Sequence, residues 1–229
     1  MAQYVLALIL ALSSFGQSDG TTGRTLRGNV PAAGLKSIDV RGKVGSIAIT
    51  PSNGSEVRYT VRLTAKTEWH FFGRKTGRPD LLDLRQDRNA DALTLDLSGD
   101  RDNIEEEWVL EVPESFAARV TMDVGKIRVS GIRGGCDARM DVGDVDVRVP
   151  EGSVSAENDV GDIRVHTDTG SYGNVDLRSD VGKVHVMLDG HDVDRKRAPG
   201  AGDTLRLNGP GRDRIRAHTD VGSVNLRIR

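Results

Sequence analysis

The phrase Asp-Val-Gly recurs five times in this chain, as Asp123-Val124-Gly125, Asp141-Val142-Gly143, Asp159-Val160-Gly161, Asp180-Val181-Gly182 and Asp220-Val221-Gly222. Successive copies begin 18, 18, 21 and 40 residues apart, the last interval being near twice the others. A repeat of this period builds a stacked array in which no unit buries its apolar side without a neighbour. Five and three residues before the Asp stand Ala118 and Val120, Cys136 and Ala138, Val154 and Ala156, Val175 and Leu177, Ile215 and Ala217. Four and six after it stand Ile127 and Val129, Val145 and Val147, Ile163 and Val165, Val184 and Val186, Val224 and Leu226. Strict alternation on each side is the period of a half-buried strand. Across the phrase the step is three, so the chain turns a corner there, and Gly supplies a backbone conformation that a side chain resists. The expected fold is all-β: a parallel β-solenoid, β-helix-like, with coils of roughly 18–21 residues made of strand, bend, strand and turn.

The outward positions support parallel stacking. Two before the Asp, successive copies carry Arg139, Glu157, Arg178 and His218; four before it they carry Arg119, Asp137, Ser155, Asp176 and Arg216. Opposite charges fall side by side when strands lie in register about 4.8 Å apart. Each such pair contributes about 0.2–1 kcal/mol, and a slip in register loses several together. A degenerate copy, Lys43-Val44-Gly45, sits far upstream with Ile38, Val40, Ile47 and Ile49 in the inward places. Between it and the main array, residues 56–65 alternate, as do the stretches around Leu93–Leu97 and Trp108–Val112. These are expected to be antiparallel strands covering one end of the solenoid, since an open end invites aggregation. Residues 189–203 read as a polar loop within the longest interval, with Leu205 and Leu207 marking a strand after it.

Length bounds the chain to one domain or one with a small appendage. Twenty-seven glycines and only 4% aromatic residues suit short strands and turns. A net charge of −2 from mixed signs gives no general attraction to nucleic acid. Residues 4–12 are an apolar run followed by the small residues Ser14 and Gly16, the length of a signal-peptide core and about half a membrane span. No basic residue precedes the run, Arg24 being the first. The expected division is a signal peptide over 1–18 and a single domain over 24–229, its repeat core spanning 116–229, with no transmembrane span in the mature chain.

Little in the sequence points to chemistry. The preferred reading of the corner aspartates is that each accepts hydrogen bonds from the amides of its own bend. The rival reading is a calcium-lined edge, but the nonapeptide of calcium β-rolls is absent. No metal and no cofactor is expected. His70, His166, His185, His191 and His218 share no repeat position and no metal-ligand spacing. Cys136 falls on an inward place and reads as a small buried residue. Glu105, Glu106 and Glu107 read as a solvated face. Trp69, His70, Phe71 and Phe72 form an aromatic cluster beside Arg74 and Lys75, suited to stacking on sugar rings or docking a partner, or else to plugging the solenoid end. A polysaccharide-cleaving enzyme would gather carboxylates and arginines such as Asp144, Asp146 and Arg164, yet pairing between coils accounts for the same residues. No catalytic residues are assigned.

The run Leu110-Glu111-Val112-Pro113-Glu114, the segment Met122-Asp123-Val124-Gly125-Lys126-Ile127-Arg128-Val129 and the early Gly45-Ser46-Ile47-Ala48-Ile49 resemble the bacterial putative-adhesin domain-of-unknown-function family. The resemblance spans residues 35–229 and rests on structural motifs. It implies an exported β-helical protein of the cell envelope, periplasmic or extracellular, and supplies no catalytic residues. The expected role is binding or scaffolding without catalysis, with an envelope polysaccharide or an envelope protein as partner. Its alternatives are a polysaccharide-active enzyme and a regulatory envelope module.

Overall fold

The structure, a computed structural model, describes residues 23–70, 73–168, 170–193 and 202–229. The protein is all-β, and the described residues contain no α-helix, only a 3-10 turn at Pro79–Leu81. No helix among them is long and apolar enough to cross a membrane. The expected signal peptide lies outside the described residues.

The first half supplies β1 (Gly23–Pro31), β2 (Ser37–Ser52), β3 (Glu56–Ala65), β4 (Thr67–His70), β5 (Gly73–Thr76), β6 (Asp83–Asn89), β7 (Ala92–Ser98) and β8 (Ile104–Pro113). The repeats follow as β9 (Ala117–Ser130), β10 (Cys136–Arg148), β11 (Val154–Val160), β12 (Ile163–Thr167) and β13 (Tyr172–Leu188). After β14 (His191–Asp192) and β15 (Asp203–Asn208) the chain closes with β16 (Asp213–Ile228). Each copy of the phrase is one long strand bent at its middle, except the third, where the bend separates β11 from β12.

All rungs are parallel and in register at the corner. Val44 pairs with Val124, Val124 with Val142, Val142 with Val160, Val160 with Val221, and Val221 with Val181. The inward positions read from the sequence are buried throughout, from Ile38 and Val40 through Ala138, Val145 and Val147 to Val224 and Leu226. Register is fixed because a shift of one residue would turn this whole apolar set toward water.

Stacking does not follow chain order, contrary to the expected coil-by-coil solenoid. The last strand, β16, is inserted between β11–β12 and β13. The cause lies in the long interval before it. There β15 pairs antiparallel with β13 across Asn174–Ser179 and takes that strand's outer edge. The closing strand enters on the inner side, where its inward residues Ile215, Ala217, Val224 and Leu226 match both neighbours. The expected strand at Leu205 and Leu207 thus exists, but as an antiparallel edge.

The upstream strands also depart from the expected antiparallel cover. β1, β3 and β8 pair antiparallel in sequence, as do β6 and β7. Yet β7 lies parallel to Ser37–Arg41 of β2, and β8 parallel to Gly45–Ser52. Together β7 and β8 make a further rung, cut at the corner where the chain leaves between them.

Candidate functional site

The corner is built from three residue rows. The glycines all take positive φ, +138° at Gly143, where side chains are disfavoured. Space forbids a side chain as well: a Cβ on Gly143 would lie well inside contact distance of the Gly125 carbonyl, and one on Gly125 would meet that of Gly45. These corner glycines, with Gly161, Gly182 and Gly222, are structural, as their spacing indicates.

Immediately before each Asp lies an inward row that the alternation did not disclose: Met122, Met140, Asn158, Ser179 and Thr219, all buried. The polar members tie rung to rung. Asn158 Nδ2 donates to the Gly143 carbonyl at 2.8 Å, Ser179 Oγ to that of Gly222 at 2.8 Å, and Thr219 Oγ1 to that of Gly161 at 3.0 Å. Each bond satisfies a carbonyl that the bend withdraws from ordinary strand pairing.

Outside the corner the valines face solvent. Val44, Val124, Val142, Val160, Val221 and Val181 are each 39–52% exposed and stack in register. At about 4.8 Å per rung this makes an apolar line about 24 Å long. Asp123, Asp141, Asp159 and Asp220 stand exposed beside it. Among the described residues none of these four accepts a backbone amide, so the expected turn bonds are not formed. Asp162, three residues after Asp159, instead bonds across rungs, its Oδ1 accepting the Ser223 amide of β16 at 3.0 Å.

Asp180 behaves differently because β16 lies beside it. The Arg178 side chain bonds it at 2.5 Å and holds its carboxyl below the usual range, with His218 adding to the effect. His218 Nε2 lies 3.4 Å from Asp180 and 3.5 Å from Asp220. Three potential ligand atoms therefore fall within 4.8 Å of one another. Asp180 and His218 are 38 positions apart along the chain, and the parallel register of β13 with β16 brings them together.

The carboxylates considered for catalysis are tied into ion pairs. Asp146 is buried and held by Arg148 through two bonds of 3.1 and 2.9 Å. Arg164 reaches Asp162 at 3.0 Å and Asp144 at 3.6 Å. The expected pairings of Arg119 with Asp137 and Arg139 with Glu157 occur at 3.3 and 3.5 Å. Glu157 faces His218 rather than Arg178, again because of the inserted strand. Cys136 is buried, which pushes its thiol up to about 12 and leaves it inert as a nucleophile.

Glu106 corrects the reading of residues 105–107 as a solvated face. It is fully buried, and accepts from the Trp108 indole at 2.9 Å, the Lys43 amide at 3.3 Å and Arg101 at 3.5 Å. Burial pushes its carboxyl above the ordinary value against these bonds.

Trp69 and His70 of the aromatic cluster lie on a hairpin strand rather than in an open loop. β4 and β5 form a separate two-stranded sheet, with Trp69 opposite Arg74 and His70 opposite Gly73. The hairpin's base is fixed by Lys66 and Gly77, the Lys66 amide donating to Asn103 at 2.7 Å and the Gly77 amide to Lys66 at 3.1 Å. Phe71 and Phe72, the two residues between the strands, lie outside the described residues.

Solved structures are similar to this chain to different degrees. A putative cell adhesion protein from Clostridium sporogenes overlays 91% of this chain and 100% of its own with a TM-score of 0.56 at 14% identity. A putative adhesin from Bacteroides fragilis covers 89% of this chain and 97% of its own, with a TM-score of 0.36 and 13% identity. The first overlay shows a shared fold. No family model matches the chain, and no curated protein matches it in sequence.

Proposed function

We infer that this protein is an exported binding or scaffolding module of the cell envelope, adhesin-like and without catalysis of its own. The in-register parallel rungs are read as a short β-solenoid whose interior is occupied by packing, leaving the outside to make contacts. The observation that carries the proposal is the exposed valine row. A corner needs a β-branched residue for its backbone, but Thr would meet that need while remaining polar. Neighbouring outward positions hold Arg, Asp, Ser and His, whereas all six corners expose Val. A rigid apolar line bordered by carboxylates is a surface for contact. Envelope polysaccharide and envelope protein are the partners proposed. The hairpin carrying Trp69 and His70, which Phe71 and Phe72 follow in sequence, is a second contact by its composition.

The test is co-sedimentation with envelope polysaccharide and protein fractions, with reducing ends followed in the same tubes. Wild type should be retained without sugar release. The triple variant Val124→Thr, Val142→Thr, Val160→Thr should fold and lose most of that retention. Unchanged retention of the variant would remove the valine row from the proposal, and release of reducing ends would establish an enzyme instead.

A further inference from the structure

Away from the corner, where the rungs turn back toward the next strand, charges cease to alternate. Arg148 on β10 stands opposite His166 on β12, and His166 opposite Arg227 on β16. Three cation-capable side chains thus occupy adjacent strands in one row, with Arg229 two residues beyond Arg227. Like charges directly opposite destabilise a sheet. Opposite charges meet across other rungs, as in Arg119–Asp137 and Arg139–Glu157. Arg148 is neutralised by Asp146, but Arg227 and Arg229 have no carboxylate partner among the described residues.

These residues line a groove of about 640 Å³ with Glu114, Gly131, Val149, Pro150, Thr167 and Asp168. Its composition has three parts. The guanidinium groups and the imidazole supply donors for an oxyanion. Val149 and Pro150 give an apolar floor, and the Glu114 and Asp168 carboxylates can accept hydroxyl groups. His166 Nδ1 is itself buried and has no hydrogen-bond partner. A buried polar nitrogen left unbonded costs free energy that a ligand hydroxyl or oxyanion would recover. The volume lies within the range of small-ligand sites and accommodates one or two sugar rings.

We propose that this groove binds an acidic saccharide, holding its carboxylate or phosphate against Arg148, Arg227 and Arg229 and its hydroxyls against Glu114 and Asp168. The proposal deepens the envelope-binding reading by giving one ligand class and a site distinct from the valine row. His166 adds a pH response. Burial and the neighbouring Arg148, Arg227 and Arg229 hold its ring below the ordinary value, while Asp146 opposes them. The ring is therefore neutral at pH 7 and gains a positive charge only in more acidic solution, so affinity should rise as pH falls.

The experiment is calorimetric titration of the folded chain with digalacturonate, maltose and inorganic phosphate, repeated with Arg227→Ala. Digalacturonate should bind, maltose should bind at least tenfold more weakly, and Arg227→Ala should weaken digalacturonate at least tenfold with an unchanged melting temperature. Inorganic phosphate binding as tightly as digalacturonate would reduce the groove to an oxyanion site and overturn the saccharide assignment. No binding of digalacturonate, or binding that Arg227→Ala leaves unchanged, would overturn the site. Envelope retention measured with Arg227→Ala separates the two proposals: if the groove fails its test while retention persists and depends on the valines, the contact-surface reading stands alone.

Discussion

The rungs β9, β10, β16 and β13 carry the chain around the corner without a break, whereas the rung made of β7 and β8 is cut there. The difference shows what the phrase is for. In the unbroken rungs glycine stacks on glycine, and any Cβ would strike the neighbouring backbone. At the cut rung the neighbour of Gly45 is Glu106, and a Cβ on Gly45 would strike its carbonyl just as it would a glycine's. Glycine is therefore required wherever a rung lies beneath, while the residue lying above it is free to differ. Glu106 uses that freedom to turn a carboxylate inward, where it bonds the Trp108 indole and the Lys43 amide. One end of the stack is closed by a buried carboxyl group at the place where the other rungs carry the corner glycine.

The largest expected effect falls on the unbroken rungs. Gly143→Val places a branched side chain at positive φ against the Gly125 carbonyl and should cost more than about 4 kcal/mol or prevent folding. A thermal melt within a degree of wild type would refute the corner geometry. Gly34→Ala also meets a positive φ, but with open space around it, and should cost only about 1 kcal/mol in the same measurement.

Next comes the cut rung. Glu106→Ala should cost about 2–4 kcal/mol, because the Trp108 and Lys43 donors lose their acceptor in the interior. The pH dependence separates charge from hydrogen bonding. The folded carboxyl titrates above its unfolded value, so the unfolded chain releases this proton first as pH rises. This group's contribution to stability is fully present below the unfolded value, about 4.5, and falls as pH climbs through the raised folded value. Denaturant titrations of Glu106→Gln should lack that part of the slope; an identical slope in both proteins would contradict the assignment.

A smaller effect sharpens the comparison among the unbroken rungs themselves. Asn158→Ala removes the bond to Gly143 and leaves a void, which should cost about 2 kcal/mol. Asn158→Met should cost less than half as much, since Met140 fills the same place one rung away. Equal losses would mean that the bond, not the filling, matters. Smallest of all, the triple Val→Thr variant should melt within a few degrees of wild type.

The corner itself was legible because a glycine at fixed distance from two alternating runs leaves few other folds. The row before the Asp was not, since Met, Asn, Ser and Thr share no polarity that reveals a common inward direction. Glu106 was legible in hindsight: Ile104, Trp108, Leu110 and Val112 alternate, and it falls on their face. Strand order could not be read, because every copy offers nearly the same inward residues to every other. For the same reason the sequence did not bring Arg227 to His166. The aromatic residues 69–72 stood out in sequence, yet only the backbone of the first two lies within the described residues.

Strand order is also where the account is most open to contradiction. Val160→Cys with Val221→Cys places thiols on adjacent in-register strands, at about 4.8 Å between Cα atoms and within disulfide reach. Val160→Cys with Val181→Cys places them two rungs apart, about 9.6 Å and beyond it. The native Cys136 is buried and does not compete. Mild oxidation should cross-link the first pair within one chain and spare the second, read by the loss of free thiol and the shift of non-reduced protein on a gel. Cross-linking of the second pair and not the first would show that the rungs stack in chain order, and that the closing strand is not inserted.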